Sequence, residues 1–334
     1  MLRIRLASVA PRGSRSGNRV TAERWAGLLR RLGHRVRIEP AYSKGRADLL
    51  VALHAFRSAG SVRRFRAENP GAAVVVALTG TDLYGKLSRR SETRAALDAA
   101  DLLVALNPRA FQSVPRRDRS KLRVIVQSAS PPAVPRKPRA GAFEVCVLGH
   151  LRRVKDPLRA AMAARLLPDR SRIRVLHLGA AIEPGFAERA REEERHNPRY
   201  LWLGDLPRGR ALRILSGCRL LAITSISEGG PSALSEAVVC GVPVVATRIA
   251  ATVGQLGAKY PGLFPVGDAA ALSRLLLRCE EDPPFYQELR RRCRALAPRF
   301  APSRELAAWR ALLEELRPRL PRRPPRTSGR PAGR

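Results

Sequence analysis

The chain has 334 residues, 45% of them hydrophobic, and that length suits two domains of about 150 residues each better than one core. Its formal net charge of +35 rests on 63 basic residues, of which only six are lysines (44, 86, 121, 137, 155 and 259). A charge of that sign ordinarily suggests nucleic acid, but aromatics at 5% and the lack of any helix-turn-helix, RNP or zinc-finger pattern argue against specific nucleic-acid binding and leave attraction of small anionic substrates.

At the N-terminus, Met1 to Leu6 alternates as a strand does and lacks the apolar block of a signal peptide. No stretch reaches the roughly 18 to 20 apolar residues needed to cross a bilayer, so a cytoplasmic protein without membrane partners is expected. The strand Arg3 to Val9 runs into a loop, after which Val20, Trp25, Leu28, Leu29 and Leu32 recur at helical spacing up to Gly33. In that loop Gly13, Ser14, Arg15, Ser16, Gly17, Asn18 and Arg19 form either a nest for a phosphate-like anion or a plain surface loop. The spacing is not that of a P-loop. Five further apolar runs, Val36 to Glu39, Ala47 to Leu53, Ala72 to Leu78, Asp101 to Leu106 and Leu122 to Val126, alternate with helical or polar segments. Together they predict a mostly parallel sheet of six strands covered by helices. His54, Thr79 to Asp82, Asn107 and Gln127-Ser128 follow four of these strands, where polar groups line a cleft; Thr81 or Asp82 fits a helix cap equally well.

A proline-rich stretch without periodicity reads as a linker over 131–141. It separates a first domain, 1–130, from a second, 142–300, in which the pattern restarts with strands Phe143 to Leu148, Arg174 to Leu178, Tyr200 to Leu203, Leu220 to Thr224 and Val242 to Ala246. Five cysteines (146, 218, 240, 279 and 293) are scattered singly with no C-x-x-C pair, which argues against a zinc site or a disulfide framework. Lys155 lies six residues after Gly149, itself at a strand end. After Leu220 to Thr224 comes Glu228-Gly229-Gly230-Pro231-Ser232, leading into a helix that carries Glu236. A helix starting just after two glycines offers unpaired amides and a partial positive charge at a strand end, where open α/β sheets bind ligands. Glu228 and Glu236 bracket that anion site and could accept hydrogen bonds from sugar hydroxyls; the plainer alternative is a buried turn capping a helix. Leu306, Trp309, Leu312, Leu313 and Leu316 then mark a C-terminal helix over 301–317, and 318–334 reads as a disordered basic tail.

Two Rossmann-like halves, a linker, a terminal helix and the Glu228 to Ser232 turn with Glu236 eight residues after Glu228 resemble the family 4 glycosyltransferases of the GT-B fold, over nearly the whole chain. The resemblance implies an α/β architecture of two domains facing across a cleft, with the C-terminal helix packing back towards the first. It implies that Glu236 holds the ribose and that Glu228 lies beside the donor sugar. Gly229, Gly230 and Pro231, with Ser232, would approach the sugar and diphosphate, Lys155 would bind the diphosphate, and Gly204, Asp205 and Leu206 would meet the base. In the G-R-L-x-x-x-K-G pattern of that family this sequence has His150 in place of the arginine and Asp156 in place of the glycine after the lysine. Arg152 or Arg153 is then the candidate for the missing charge.

More narrowly, Leu53-His54-Ala55-Phe56-Arg57-Ser58, Leu78-Thr79-Gly80-Thr81-Asp82-Leu83-Tyr84, Val126-Gln127-Ser128-Ala129 and Gly149-His150-Leu151-Arg152 look like the branch containing the selenosugar synthase of selenoneine biosynthesis. That resemblance implies UDP-N-acetylglucosamine or UDP-glucose as donor and selenophosphate as nucleophile, both as substrates, with no cofactor. Lys155, Glu228, His150 and Arg152 are the expected catalytic groups, and Gly13 to Arg19 with Thr81 the expected acceptor-anion site. No D-x-D motif marks a divalent metal site. A hydroxyl acceptor is the alternative within the same fold, and a basic nucleic-acid-binding protein the alternative outside it.

Overall fold

The structure, a computed structural model, describes residues 1–320. The expected basic tail, 318–334, lies outside the described residues from 321 onward. The first half supplies strands β1 (Arg3–Ala7), β2 (Arg35–Glu39), β3 (Leu49–Leu53), β4 (Ala73–Leu78), β5 (Leu102–Ala105) and β6 (Leu122–Val124). The second supplies β7 (Phe143–Leu148), β8 (Ile173–Leu178), β9 (Tyr200–Trp202), β10 (Leu220–Ile223), β11 (Val244–Thr247) and β12 (Leu263–Phe264). The segment 125–142 between them holds no helix or strand. Helices α1 (Gly17–Arg31), α2 (Ala55–Glu68), α3 (Thr81–Tyr84) and α4 (Ser91–Ala99) belong to the first half. The second half has α5 (Arg159–Arg165), α6 (Phe186–His196), α7 (Arg208–Ser216), α8 (Ser232–Val239), α9 (Ala250–Leu256), α10 (Ala269–Glu281), α11 (Pro283–Leu296) and α12 (Pro302–Leu316).

All the strand pairs are parallel, in the orders β2-β1-β3-β4-β5-β6 and β12-β11-β10-β7-β8-β9. Central strands such as β3 and β4 are apolar at every position because helices cover both faces, whereas the edge strand β2 leaves alternate residues exposed. In each sheet the chain reverses its direction of travel once, between β1 and β3 in the first and between β7 and β10 in the second. The crevice beyond the strand ends at such a reversal is where open α/β sheets bind ligands.

The last helix ties the two halves together. Trp309, Leu312, Leu313 and Leu316 of α12 join the core of the first sheet, and Trp309 packs edge-on against Trp25 of α1 with ring centroids 4.9 Å apart. On the same helix the fully buried Glu305 accepts hydrogen bonds from Trp25 Nε1 at 2.7 Å, Ser128 N at 2.9 Å and Arg24 Nε at 3.1 Å. A buried carboxylate is tolerated there because a cation and neutral donors saturate it. Among the described residues, no helix is long and apolar enough to cross a membrane.

Candidate active site

A cavity of about 1230 Å³ lies between the two sheets and is lined from both strand reversals. Its second-half wall is built on Gly149 and Gly179, which end β7 and β8, with Asp205 and Leu206 following Gly204 beyond β9. A Cβ on Gly179 would lie 2.1 Å from the Gly149 carbonyl oxygen, and its φ of +154° is open to glycine alone, so the two strand ends can touch only because the side chain is missing. Behind them His177 is completely buried, with Nε2 at 3.1 Å from Gly149 O and Nδ1 at 3.0 Å from Tyr200 Oη. Burial pushes its pKa down to about 4.

Lys155 and Glu228 form an ion pair, and Glu228 Oε1 also accepts from Ser225 Oγ at 2.7 Å. The Lys155 carbonyl accepts from Thr224 Oγ1 at 2.9 Å, which fixes the lysine loop to the end of β10. Asp156, the residue that replaced the expected glycine, adopts a left-handed conformation with φ +45°. Aspartate tolerates that conformation, and its carboxylate is anchored by Arg159 Nε at 2.8 Å. The turn after Lys155 therefore keeps the geometry that a glycine would give it. Glu236 is buried on α8 and paired with Arg208 at 2.7 Å. Burial pushes its carboxyl up from the usual range, while Arg208 and then Arg24 of the first half oppose that shift.

The first-half wall comes from Val9 and the loop after β1, His54 after β3, and Thr79 to Thr81 after β4. Among the described residues, three other than glycine have φ in the left-handed region, namely Val9 at +52°, His54 at +69° and Asp156. All three follow a strand at one of the two reversals. Strain of this kind costs on the order of 1 to 3 kcal/mol per residue and clusters at functional sites. His54 caps α2, its Nδ1 accepting from Arg57 N at 3.4 Å, and its Nε2 lies 2.9 Å from Thr81 Oγ1. Desolvation lowers its pKa; Asp82 opposes that shift, and the Arg57 and Arg152 charges add to it. Asp82 itself accepts from the backbone amides of Ala55, Thr79 and Gly80 at 2.8 to 3.0 Å, which organises the loop beside Thr81.

Residues 135–299 match the family model described as glycosyl transferases group 1. Among solved structures, HepE of Anabaena in complex with UDP-glucose superposes with a TM-score of 0.77 at 16% identity, covering 95% of this chain and 100% of that one. The sucrose-phosphate synthase of Thermosynechococcus elongatus gives 0.72 at 15% identity, with 95% and 100% covered. The pneumococcal O-GlcNAc transferase GtfA in complex with UDP and GlcNAc gives 0.62 at 16% identity, with 80% and 56% covered. The fold is GT-B. A search of curated proteins by sequence found no match.

Within this GT-B cleft Lys155, Glu228, Glu236, His150, Arg152, Asp205, Leu206, Pro231, Ser232, Gly13 to Asn18 and Thr81 all face the same space. Several sit differently from expectation. Gly229 and Gly230 do not line the cleft. A Cβ on Gly229 would stand 2.4 Å from Thr79 O, and one on Gly230 2.5 Å from the Leu106 Cβ, so the turn is one of the points where the two halves touch. Asn107 Nδ2 donates to Gly229 O at 2.7 Å across the same contact. His150 is already engaged at both nitrogens, accepting from Ala180 N at 3.1 Å and bonding the Arg15 carbonyl at 3.0 Å. It joins the halves instead of offering a free donor to a diphosphate. Gly17, Asn18 and Arg19, where the sequence predicts a loop because no apolar residue marks the segment, form the first turn of α1, capped by Ser16. Arg19 pairs with Glu23 at 2.7 Å and lies outside the cleft lining. Arg15 reaches Asp205 of the second half at 2.8 Å. Gly204, with φ +68°, accepts from Gly179 N at 2.8 Å behind the wall. Arg152 lines the cleft, whereas Arg153 is exposed outside it.

The residues missed in the sequence are Arg208, Arg24 and Arg57, all on helices that carry other arginines. The signal that could have found Arg208 is its position at the first turn of a helix three residues after Asp205. Among the described residues no group of three or more His, Cys, Asp or Glu side chains converges to hold a metal ion.

Proposed function

We propose that the protein transfers N-acetylglucosamine or glucose from a UDP donor to selenophosphate, forming a carbon–selenium bond for selenoneine biosynthesis. The selenium lone pair attacks the anomeric carbon, the bond from that carbon to the diphosphate oxygen breaks, and UDP leaves. Water then cleaves the phosphorus–selenium bond, releasing phosphate and leaving the selenosugar. The match of 135–299 to group 1 glycosyl transferases supports the donor half, as do the UDP-glucose complex of HepE and the UDP and GlcNAc complex of GtfA.

In this reading Glu236 accepts from the ribose hydroxyls, with Arg208 giving up that carboxylate as the nucleotide arrives. Lys155 meets the charge that develops on the departing diphosphate, and Glu228 releases it to contact the sugar. Arg152, facing the cleft beside the strand end, supplies the second cation. The observation that carries the acceptor half is the composition of the opposite wall. Thr81, with the Arg57 and Arg152 charges close enough to act on His54, offers hydrogen-bond donors and positive charge where an anion would sit. An anionic, soft selenium nucleophile needs little general-base help.

A hydroxyl acceptor is the second reading, and the specific observation in its favour is His54, a neutral imidazole held beside the cleft that could take a proton. Purified protein given UDP-N-acetylglucosamine or UDP-glucose separates the two by UDP release. Release that requires selenophosphate or thiophosphate supports the anionic acceptor. Release that requires a hydroxyl compound and ignores both anions overturns it.

A further inference from the structure

We propose that His54 is a positioning residue that turns Thr81 into an obligatory hydrogen-bond donor, so that this wall of the cleft selects an oxyanion such as a thiophosphate or selenophosphate head over a hydroxyl acceptor. The inference rests on reading the first-half wall as the acceptor side. The argument is one of proton accounting. His54 Nδ1 faces the Arg57 backbone N–H at 3.4 Å as the cap of α2, and a backbone N–H can only donate, so Nδ1 is the acceptor. The imidazole proton is therefore on Nε2, which lies 2.9 Å from Thr81 Oγ1 and donates to it. Asp82 does not reverse that polarity. Its Oδ2 stands 3.9 Å from Nδ1, beyond hydrogen-bond range, and its oxygens are occupied by the amides of Ala55, Thr79 and Gly80.

With its oxygen accepting from His54, Thr81 keeps its hydroxyl proton to give away. Among the described residues the side chain has no other hydrogen bond, and it lines the cleft opposite Lys155. A hydroxyl acceptor would need a proton taken from it at this point; an oxyanion needs one given. The surrounding groups agree with the second demand, since Arg57 on α2 and Arg152 from the facing half bring positive charge to the imidazole, and Asp82 is the carboxylate that faces it. The strained backbone of His54, φ +69° and ψ +95°, holds the ring in this orientation, and such strain persists only where surrounding structure enforces it.

The test uses the full chain saturated with UDP, so that the donor diphosphate site is filled, and titrates inorganic thiophosphate by calorimetry. A charge-assisted hydrogen bond predicts that Thr81→Val weakens thiophosphate binding about tenfold or more, while Thr81→Ser binds as the parent does. His54→Asn keeps a side chain that tolerates positive φ and can cap α2, but it is too short to reach Thr81. It should weaken the anion about as much, leave UDP affinity unchanged, and add nothing in the Thr81→Val background. His54→Gln, whose amide can donate, should recover part of the loss. Additive losses in the double variant, or equal losses of UDP and thiophosphate affinity, overturn the proposal, as does a parent protein that binds no thiophosphate. So does a His54→Asn defect confined to kcat that also removes the ascending limb of the pH profile, because that is the mark of a general base. Coupled loss of thiophosphate binding stands even if no selenosugar forms, which keeps this inference separate from the proposed reaction.

Discussion

Beyond β7 and β10 the cleft presents two carboxylates, Glu228 and Glu236, each held by a cation, Lys155 and Arg208. Beyond β1 and β3 it presents a capped α1 N-terminus, the His54–Thr81 pair and the charge of Arg57. The two halves share a parallel six-stranded scaffold and the same kind of strand-order reversal, so the scaffold fixes only where a ligand sits. What binds there is set by which side chains stand at the strand ends. Carboxylates paired with cations suit a polyhydroxylated sugar nucleotide that must shed a diphosphate, and a wall of donors whose carboxylate, Glu23, is paired with Arg19 suits an anion.

The largest break in this contrast should come from Lys155→Ala. Loss of a group that meets developing oxyanion charge costs about 10²- to 10³-fold in kcat, and UDP release under donor saturation should fall by at least that order. Unimpaired turnover would assign the leaving-group charge to another residue. Next in size is a pH effect from His177, in the second half. The folded-state pKa of His177, about 4, lies below its ordinary 6.5, so the unfolded chain takes up a proton first as pH falls. Stability from this group is therefore fully present above 6.5 and is lost progressively down to about pH 4, by about 3 kcal/mol in all. Denaturation of the wild type and of His177→Gln at pH 7 and pH 4.5 should show a steeper loss in the wild type; parallel losses would contradict the assignment.

Third is the contact between the halves. Gly229→Ala puts a methyl group 2.4 Å from Thr79 O, and overpacking of this kind costs about 1 to 3 kcal/mol. The halves should separate, with kcat/KM down about tenfold and a larger radius of gyration by X-ray scattering; a variant with unchanged radius and activity would show that the turn yields without opening the cleft. The smallest effect should come from Arg15→Ala. Its pair with Asp205 bridges the halves, but the side chains are 46% and 42% exposed, and exposed pairs contribute about 1 kcal/mol or less. The KM of either substrate should change by less than about fivefold, and a larger rise for selenophosphate alone would restore Arg15 to the acceptor site.

Strand periodicity made the first six strands and the first five of the second sheet legible, because buried parallel strands read as continuous apolar runs. The two-residue β12 was invisible for want of any period. Lys155, Glu228 and Glu236 were legible as cleft-lining positions because each lies in the loop or helix that follows a strand of the second sheet. Strand order was not, since no local pattern tells β3 to pair with β1, and the two reversals that make the cleft depend on it. The same limit explains Gly229 and Gly230. A glycine needed for approach of a distant backbone looks the same in sequence as one needed for approach of a ligand. His54 stood out only as a polar residue at a strand end; its importance comes from a backbone angle and a partner 27 positions away.

The central claim is that the wall beyond β1 and β3 receives an anion. Mass spectrometry of the products formed from UDP-N-acetylglucosamine and from UDP-glucose, with selenophosphate, with thiophosphate and with neither, tests it most directly. The account predicts a selenosugar with selenophosphate, the corresponding thiosugar in the thiophosphate reaction, and no transfer without an anion. Sugar transferred to a hydroxyl compound, with neither chalcogen sugar formed, would contradict it.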